Sequence, residues 1–511
     1  IDLVIPDFGY LLDKTELVRG IILTHGHEDH TGALPYVLRK IKAPIYASRL
    51  TRGLVEVKLK RFGMRDVADI TVVKAGERVV IGPFEVEFFQ VNHSIPDGLG
   101  LAIRTPMGLI LHSGDFKFDR TPARDQPSDL ARLAKYGEDG VLVLMADSTN
   151  AETPGFTPSE KVVEETLSEI FRDAPGRVIV ATFASLISRI QQVVDCAEQH
   201  NRRIVVVGRS MIDNVRIAQD LGYLRVPAGL IIKPRDMDSF APNELVVLAT
   251  GSQGEPGSAL SRMARGQMSG GRSVEIIPGD TVVISAHPIP GNEEMVHRII
   301  NRLLQKGANV LYSAIAQVHV SGHASREDYK LLLSLTRPQY FLPIHGELRH
   351  LHQHARIAKE MGMPAENIFI VENGMVIEFK DGVGRVGDRI PGGYVFVDGT
   401  GVGDIGPAVL RDRDALASDG FVVAVVHVNL KTGTFSETPE FISRGFVYHK
   451  VAESLMEEAA LQVMEAVETS IKKEGPITKA RAADLVRETL AELFDAQLKR
   501  HPMIVPVVAE D

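Results

Sequence analysis

Residues 24 to 32 read Thr24-His25-Gly26-His27-Glu28-Asp29-His30-Thr31-Gly32. The apolar run GIILT at 20 to 24 leads into them as a buried strand, which sets the histidines on a loop entering a helix that begins near Thr31. Two histidines two residues apart on extended backbone project to one side and can chelate a single ion. Asp29 and His30, one step further, can reach a second ion beside it. Neutral imidazole and carboxylate suit Zn²⁺ or Mn²⁺ and leave coordination positions for water. A lone histidine at a strand end is more often structural, and an HxH pair alone divides evenly between the two readings. HxHxDH after a buried strand turns the balance to metal.

The rest of the composition supports an enzyme-sized, folded chain. At roughly 100 to 200 residues per domain, 511 residues make about three domains and exclude a peptide hormone or a disulfide scaffold. With 44% hydrophobic and 24% charged residues, neither disorder nor a fibrous protein fits. Lys plus Arg number 57 against 66 Asp plus Glu, a net charge of −9, so nucleic acid would be gripped locally rather than by bulk charge. The single cysteine, Cys196, makes neither an intrachain disulfide nor a zinc cluster and points to a reducing compartment, the cytoplasm. No apolar run suggests a membrane span. The chain opens at Ile1 inside what reads as a strand, IDLVIPD, so further strands are expected to precede it.

Along the chain, residues 1 to 150 alternate short strands with turns: APIYAS at 43 to 48, VEFFQVNH at 86 to 93, LAIRTPMGLILHSGD at 101 to 115, VLVLMADST at 141 to 149. A helix is expected from about Glu160 to Phe171, followed to about Pro290 by strands RVIVAT, RRIVVVG, ELVVLATGS and DTVVISA, each with a helical or loop partner. That is the pattern of a parallel sheet with crossover helices. A helix EEMVHRIINRLLQKG, a strand at 309 to 315 and a buried strand in PQYFLPIHGE at 338 to 347 come next. Residues 381 to 407 are Gly-rich and read as a linker. Beyond them FVVAVVHVNL is a strand, and two amphipathic helices follow, with Leu455, Ala459, Val463 and Val467 on one face and Val486, Leu490, Phe494 and Leu498 on the other.

The THGHEDHTG string resembles the metallo-β-lactamase superfamily signature, and later positions follow that family's order. His93 before SIPD resembles the third histidine of the first metal site, Asp115 in LHSGDFKF the bridging aspartate, and His345 in PIHGE the last histidine of the second site. The resemblance implies one ion on His25, His27 and His93, another on Asp29, His30 and His345, and Asp115 between them. Taken singly, His93 and His345 read as ordinary strand-end histidines and Asp115 as a turn former or helix cap. The family's first motif, an aspartate after an early strand, would lie before Ile1. The long interval between Asp115 and His345 implies an inserted domain, and Asp147 in DST, His323 in HVSGHAS and His345 match the extra motifs of the β-CASP nucleases.

Within that group the chain resembles the ribonuclease J family in ADSTNAE, ATFAS, ATGSQGEPGSAL, PIPGNE, VDGTGVGDIG, LRDRDALASDG and EFISRGFVY, over nearly its whole length. The implied fold is α/β: an αββα metallo-β-lactamase sandwich over 1–150 and 316–380, an α/β β-CASP domain inserted over 151–315, a linker at 381–407 and a small C-terminal α+β domain over 408–511. The implied enzyme is a two-metal ribonuclease acting on single-stranded RNA, with 5′-to-3′ exonuclease activity favouring a 5′-monophosphate, and endonuclease activity. Its two ions are Zn²⁺, with Mn²⁺ as the alternative. Its partners are a second copy or three further copies of itself and an RNA-degrading assembly, without a membrane.

Two divalent ions can activate a water and stabilise the charge developing on a phosphodiester. Asp115 can also hydrogen-bond that water, and the leaving oxygen then needs a proton. His323 is the candidate acid, with Asp147 orienting it; judged alone, Asp147 reads equally well as a turn cap. For the RNA, the ATFAS turn offers Ala184, Ser185 and Leu186, and the HVSGH stretch offers His319, Val320, Ser321, Gly322 and His323. The Gly-rich run GSQGEPG at 251 to 257 is a weaker candidate, since such turns are mostly connections. A small-molecule hydrolase of the same superfamily has no use for Asp147, His323 and a large inserted domain. A scaffold with a decayed site would not keep seven candidate ligands.

Overall fold

The computed structural model describes residues 2–64, 68–122, 126–267, 274–447 and 449–509. The chain divides into two compact units, one of Pro6–Gly393 and one of Ile1–Ile5 with Tyr394–Asp511.

In the larger unit two sheets stack. One is six-stranded, in the spatial order Tyr340–Ile344, Val141–Asp147, Gly108–His112, Leu99–Thr105, Phe84–Gln90, Arg78–Ile81. Its first three strands run parallel and the others antiparallel. The other joins Ile21–Leu23, Ile45–Ala47 and Ile70–Val72 in parallel. Alternation along Phe84–Gln90 sends Val86 and Phe88 to one face and Phe89 to the opposite one. Val86 and Phe88 pack with Leu99, Leu101, Ile22 and Tyr46 between the sheets. Phe89 joins Leu111, Leu133, Tyr329 and Ile357 under the helices Leu130–Asp139, Arg326–Thr336 and Leu348–Glu360. Leu34, Leu38, Val55 and Leu59 cover the smaller sheet from the helices Leu34–Leu38 and Arg49–Arg61. The result is the expected αββα sandwich.

The inserted sheet has six parallel strands in the order Ile231–Ile232, Arg203–Val207, Leu245–Ala249, Val178–Ala181, Thr281–Ile284, Asn309–Tyr312. Apart from Arg203, Thr281 and Asn309 at their starts, its strands are apolar because helices cover both faces. Val178 and Val180 pack on one side with Val163, Ile190 and Met211, and Ile179 and Ala181 on the other with Leu260, Met263 and Ile299. The helix expected from Glu160 to Phe171 spans Lys161–Asp173.

The Gly-rich stretch 381–407, read as a linker, carries strands. Val383–Arg389 pairs antiparallel with Met375–Lys380, and Tyr394–Asp398 and Gly401–Val402 form a three-stranded sheet with Leu3–Pro6. One of its glycines serves packing. A Cβ on Gly384 would lie 2.8 Å from Phe379 and 2.9 Å from Phe369, so glycine is what lets those rings approach the backbone.

The smaller unit also holds the sheet Glu440–Arg444, Phe421–His427, Met503–Ala509, antiparallel at its first pairing and parallel at its second. Val422, Ala424 and Val426 pack on the helices His449–Glu474 and Lys479–Leu498 through Leu455, Ala459, Val463, Val467, Val486, Leu490 and Phe494, with Leu498 at the margin. The two expected helix faces are this α+β core. Among the described residues no helix is long and apolar enough to cross a membrane.

Candidate metal centre

At the end of the strand Ile21–Leu23 the chain turns sharply. His27 is extended and caps a single turn, Glu28–Thr31. The helix expected near Thr31 therefore starts earlier, and Asp29 and His30 lie within it. That turn lets a histidine and a carboxylate reach inward from consecutive positions, which an extended loop would send to opposite sides.

The long-range fold adds the remaining donors. His25 Nε2 and His93 Nε2 lie 3.1 and 3.0 Å from His27 Nδ1. Asp115 Oδ2 lies 3.1 Å from His30 Nε2, 3.6 Å from His25 Nε2, 3.6 Å from His345 Nε2 and 3.7 Å from His93 Nε2. Asp29 Oδ2 is 3.3 Å from His30 and 3.4 Å from His345. The donor atoms fall into the sets His25–His27–His93 and Asp29–His30–Asp115–His345, each set within 4.8 Å. One carboxylate oxygen thus borders both sets.

The two donor sets differ in protonation. His93 Nδ1–H donates to the Gly322 carbonyl at 2.8 Å, so Nε2 is the bare nitrogen that faces the cluster. Thr149 Oγ donates to Asp147 Oδ1 at 2.7 Å, so its 3.0 Å contact with His345 is a donation from His345 Nδ1–H. His345 Nε2 then faces Asp29 and Asp115. Burial holds His25 and His93 well below the usual imidazole range, helped by the neighbouring histidines. Burial likewise brings His27 down to about 4, against the pull of Asp29 and Asp115. These three are therefore neutral imidazoles. Burial also lowers His30 and His345, but hydrogen bonds to carboxylates overcome it. Asp115 and Asp29 take His30 up to about 9, and Asp147 and Asp29 take His345 up to about 11. Anions concentrated on this side call for positive charge, which a divalent ion supplies.

Beside the cluster, His323 Nδ1 lies 2.8 Å from Asp147 Oδ2. Asp147 is fully buried, and the His323 ring lies 4.8 Å from His93 and 5.5 Å from His345. Burial disfavours the His323 imidazolium, but the Asp147 charge and hydrogen bond more than offset this and raise its pKa. His345 adopts φ +53°, a left-handed conformation that costs a non-glycine residue about 1–2 kcal/mol. Ser148 N–H, donating to its carbonyl at 3.1 Å, holds it there.

The substrate-binding candidates are less uniform. Ser321 and Gly322 sit at the cluster's edge, and a Cβ on Gly322 would come within 2.7 Å of His93 Nδ1. Val320 and Leu186 are buried in the core, which leaves only their backbone for a ligand. His319 is buried against His287, 4.8 Å between rings, and burial keeps it neutral, so it brings no positive charge to a phosphate. Leu186 N–H is bonded to the Phe183 carbonyl and is not the free donor that the ATFAS turn suggested. Ala184 and Ser185 remain partly exposed. Buried Arg189 ties the two segments together, reaching the Val318 carbonyl at 2.6 Å and Glu160 at 2.6 Å. The sequence reading overlooked Thr149, Asn150 and Arg189. Thr149 and Asn150 stand beside Asp147 in DSTN, but no spacing rule marks them.

An αββα sandwich with an inserted parallel-sheet domain and a His/Asp cluster at their junction defines a metallo-β-lactamase-type hydrolase of the β-CASP kind that binds divalent metal. Family models match in the same order along the chain. They are the metallo-β-lactamase superfamily at 16–180, the ribonuclease J β-CASP domain at 175–303, the Zn-dependent metallo-hydrolase RNA specificity domain at 308–371, and the ribonuclease J C-terminal domain at 408–511. Ribonuclease J of Thermus thermophilus is 43% identical over 520 aligned residues, covering 100% of this chain and 88% of that protein. Ribonuclease J 1 of Streptococcus pyogenes is 40% identical, covering 99% and 90%. Ribonuclease J2 of Bacillus subtilis is 39% identical, covering 100% and 91%. The chain belongs to the ribonuclease J family and is a metal-dependent ribonuclease.

Proposed function

We propose that the protein hydrolyses single-stranded RNA with two divalent ions, one on His25, His27 and His93, one on Asp29, His30 and His345, with Asp115 shared. The observation that carries this is Asp115 Oδ2, within 3.1 to 3.7 Å of four imidazole nitrogens from both sets. Zinc is the expected metal and manganese the alternative, since imidazole and carboxylate serve both. Bound there, such ions supply an acidified water and charge neutralisation at the phosphodiester. The chain's own residues do the rest. Asp115 positions both halves of the site, and His323 hands a proton to the leaving oxygen while Asp147 holds its ring.

The finer reading is a 5′-to-3′ exonuclease that favours a 5′-monophosphate, with internal cleavage as a second activity. Ser321 and the Gly322 backbone, with Ala184 and Ser185 opposite in sequence order, would receive one terminal phosphate; Leu186 and Val320 contribute backbone alone and His319 a neutral wall. A triphosphate adds bulk and charge that these groups do not neutralise. Domain limits at 1–150 with 316–380, 151–315 and 408–511, self-association as a dimer or tetramer, membership of an RNA-degrading assembly and a cytoplasmic location complete the proposal. The location is supported by the lone buried Cys196.

Digestion of single-stranded RNA bearing one or three 5′ phosphates tests it. Stepwise mononucleotide release, faster from the monophosphate, is expected, with internal cuts independent of the 5′ end. Equal release from both ends would remove the phosphate pocket from the proposal. Absence of cleavage by protein loaded with either metal would remove the rest.

A further inference from the structure

We infer that Asn150 is a positioning residue that fixes the polarity of the Ser321 hydroxyl, making it a hydrogen-bond donor toward the 5′ phosphate; this rests on the phosphate-pocket reading above. Asn150 Nδ2 lies 2.7 Å from Ser321 Oγ and 3.2 Å from the His323 carbonyl. A carbonyl only accepts, so the amide atom between them must be the NH₂, and the orientation of the Asn150 side chain is settled. Ser321 Oγ therefore accepts from Asn150. It also accepts the His323 backbone N–H at 3.1 Å.

A hydroxyl has two lone pairs and one hydrogen. Both lone pairs of Ser321 are taken, and among the described residues no protein group accepts its hydrogen. What Ser321 can offer an incoming group is a donor alone. The oxygens of a phosphate dianion are acceptors alone, so the two match, and charge-assisted bonds of this kind are the stronger ones. Asn150 is itself held by donation from its N–H to the Tyr329 hydroxyl at 3.3 Å. Thr157 Oγ, 2.8 Å from the His323 carbonyl, steadies the same turn from the opposite side. Ser321 is two residues from His323, so this donor lies at the edge of the reaction site. DSTN thus serves twice: Asp147 faces the acid, and Asn150 faces the end of the RNA.

The test uses the full chain loaded with metal and two single-stranded RNAs, one with a 5′ phosphate and one with a 5′ hydroxyl. The readout is the ratio of their kcat/KM values. Ser321→Ala should lower this ratio about tenfold, the worth of one hydrogen bond to a charged group. Asn150→Ala should lower it by the same factor, through KM for the phosphorylated RNA. The double variant should fall no further, because Asn150 acts through Ser321. Asn150→Asp keeps the shape but takes the Ser321 hydrogen, and should lower the ratio at least as much; it carries the test if the alanine variant folds poorly, with metal content per chain as the check. A wild-type ratio near one would overturn the pocket reading and this inference with it. A high wild-type ratio kept in Asn150→Asp or Asn150→Ala, or losses that multiply in the double variant, would overturn the role of Asn150 alone and leave the pocket standing.

Discussion

The two halves of the centre are built differently. His25, His27, Asp29 and His30 come from one strand end and the turn that follows it, so local backbone sets their spacing. Asp147 meets His323 across 176 positions and Thr149 meets His345 across 196, so their geometry depends on the inserted domain and the return of the chain to the first sheet. Asp115 belongs to neither half and borders both. Damage to the first half should therefore appear as lost metal. Damage to the second should appear as lost proton transfer or a shifted metal affinity, with the first half intact.

Asp115→Ala breaks this division most severely, because it removes the one oxygen that borders both donor sets. We expect loss of cleavage and of at least one ion per chain by elemental analysis; retention of two ions would separate Asp115 from the metals altogether. His323→Ala comes next. Proton donation is typically worth about 10² to 10⁴ in rate, so cleavage should slow by that order while both ions stay. His323 also lies within reach of a third donor set with His93 and Asp115, and metal loss in this variant would make it a ligand rather than the acid. Thr149→Val should have a smaller effect. It removes the hydroxyl that receives His345 Nδ1–H, and such outer partners are worth about 10- to 100-fold in metal affinity. Metal titration should show that loss at one ion only. Equal weakening of both would mean that the halves are not separable.

The same division decides how much could be read from the sequence. The HxHxDH string was legible because its chemistry and its spacing are local. The strands around it were legible from periodicity, down to the helix faces of the C-terminal unit. His93, Asp115 and His345 carry no local mark, and only their order after the first motif and the family resemblance selected them. Thr149 and Asn150 could not be found at all, because their roles appear only when His345 comes beside Thr149 and the turn at 318–325 folds back beside Asn150. Leu186 and Val320 were overestimated for a related reason: a motif names positions, but burial decides which side chains face the ligand. The glycines of 381–407 suggested a linker because composition does not show that Phe369 and Phe379 occupy the space beside Gly384.

One histidine lies beside the second half without belonging to the centre, and it gives the smallest effect. His354 is fully buried between Tyr329 and Phe341. The Ser148 hydroxyl donates to the Ala146 carbonyl at 3.2 Å, so the 3.0 Å contact to His354 is a donation from Nδ1–H. Nε2 has no partner, and a proton there would be an unpaired buried charge. Burial accordingly takes this imidazole from 6.5 down to about 3. Its folded pKa lies below its unfolded one, so between these values the unfolded chain binds a proton that the folded chain refuses, and stability falls as pH drops through that window. At pH 5 the cost is about 2 kcal/mol from this residue. His354→Phe keeps the ring packing but does not titrate, while its loss of the Ser148 hydrogen bond is the same at every pH. Urea unfolding at pH 7.5 and pH 5 should therefore show the variant losing about 2 kcal/mol less than the wild type over that interval. Metal release at low pH affects both proteins alike and cancels in the difference. Parallel losses in the two would show that His354 takes up its proton in the folded state, with an acceptor or water reaching Nε2.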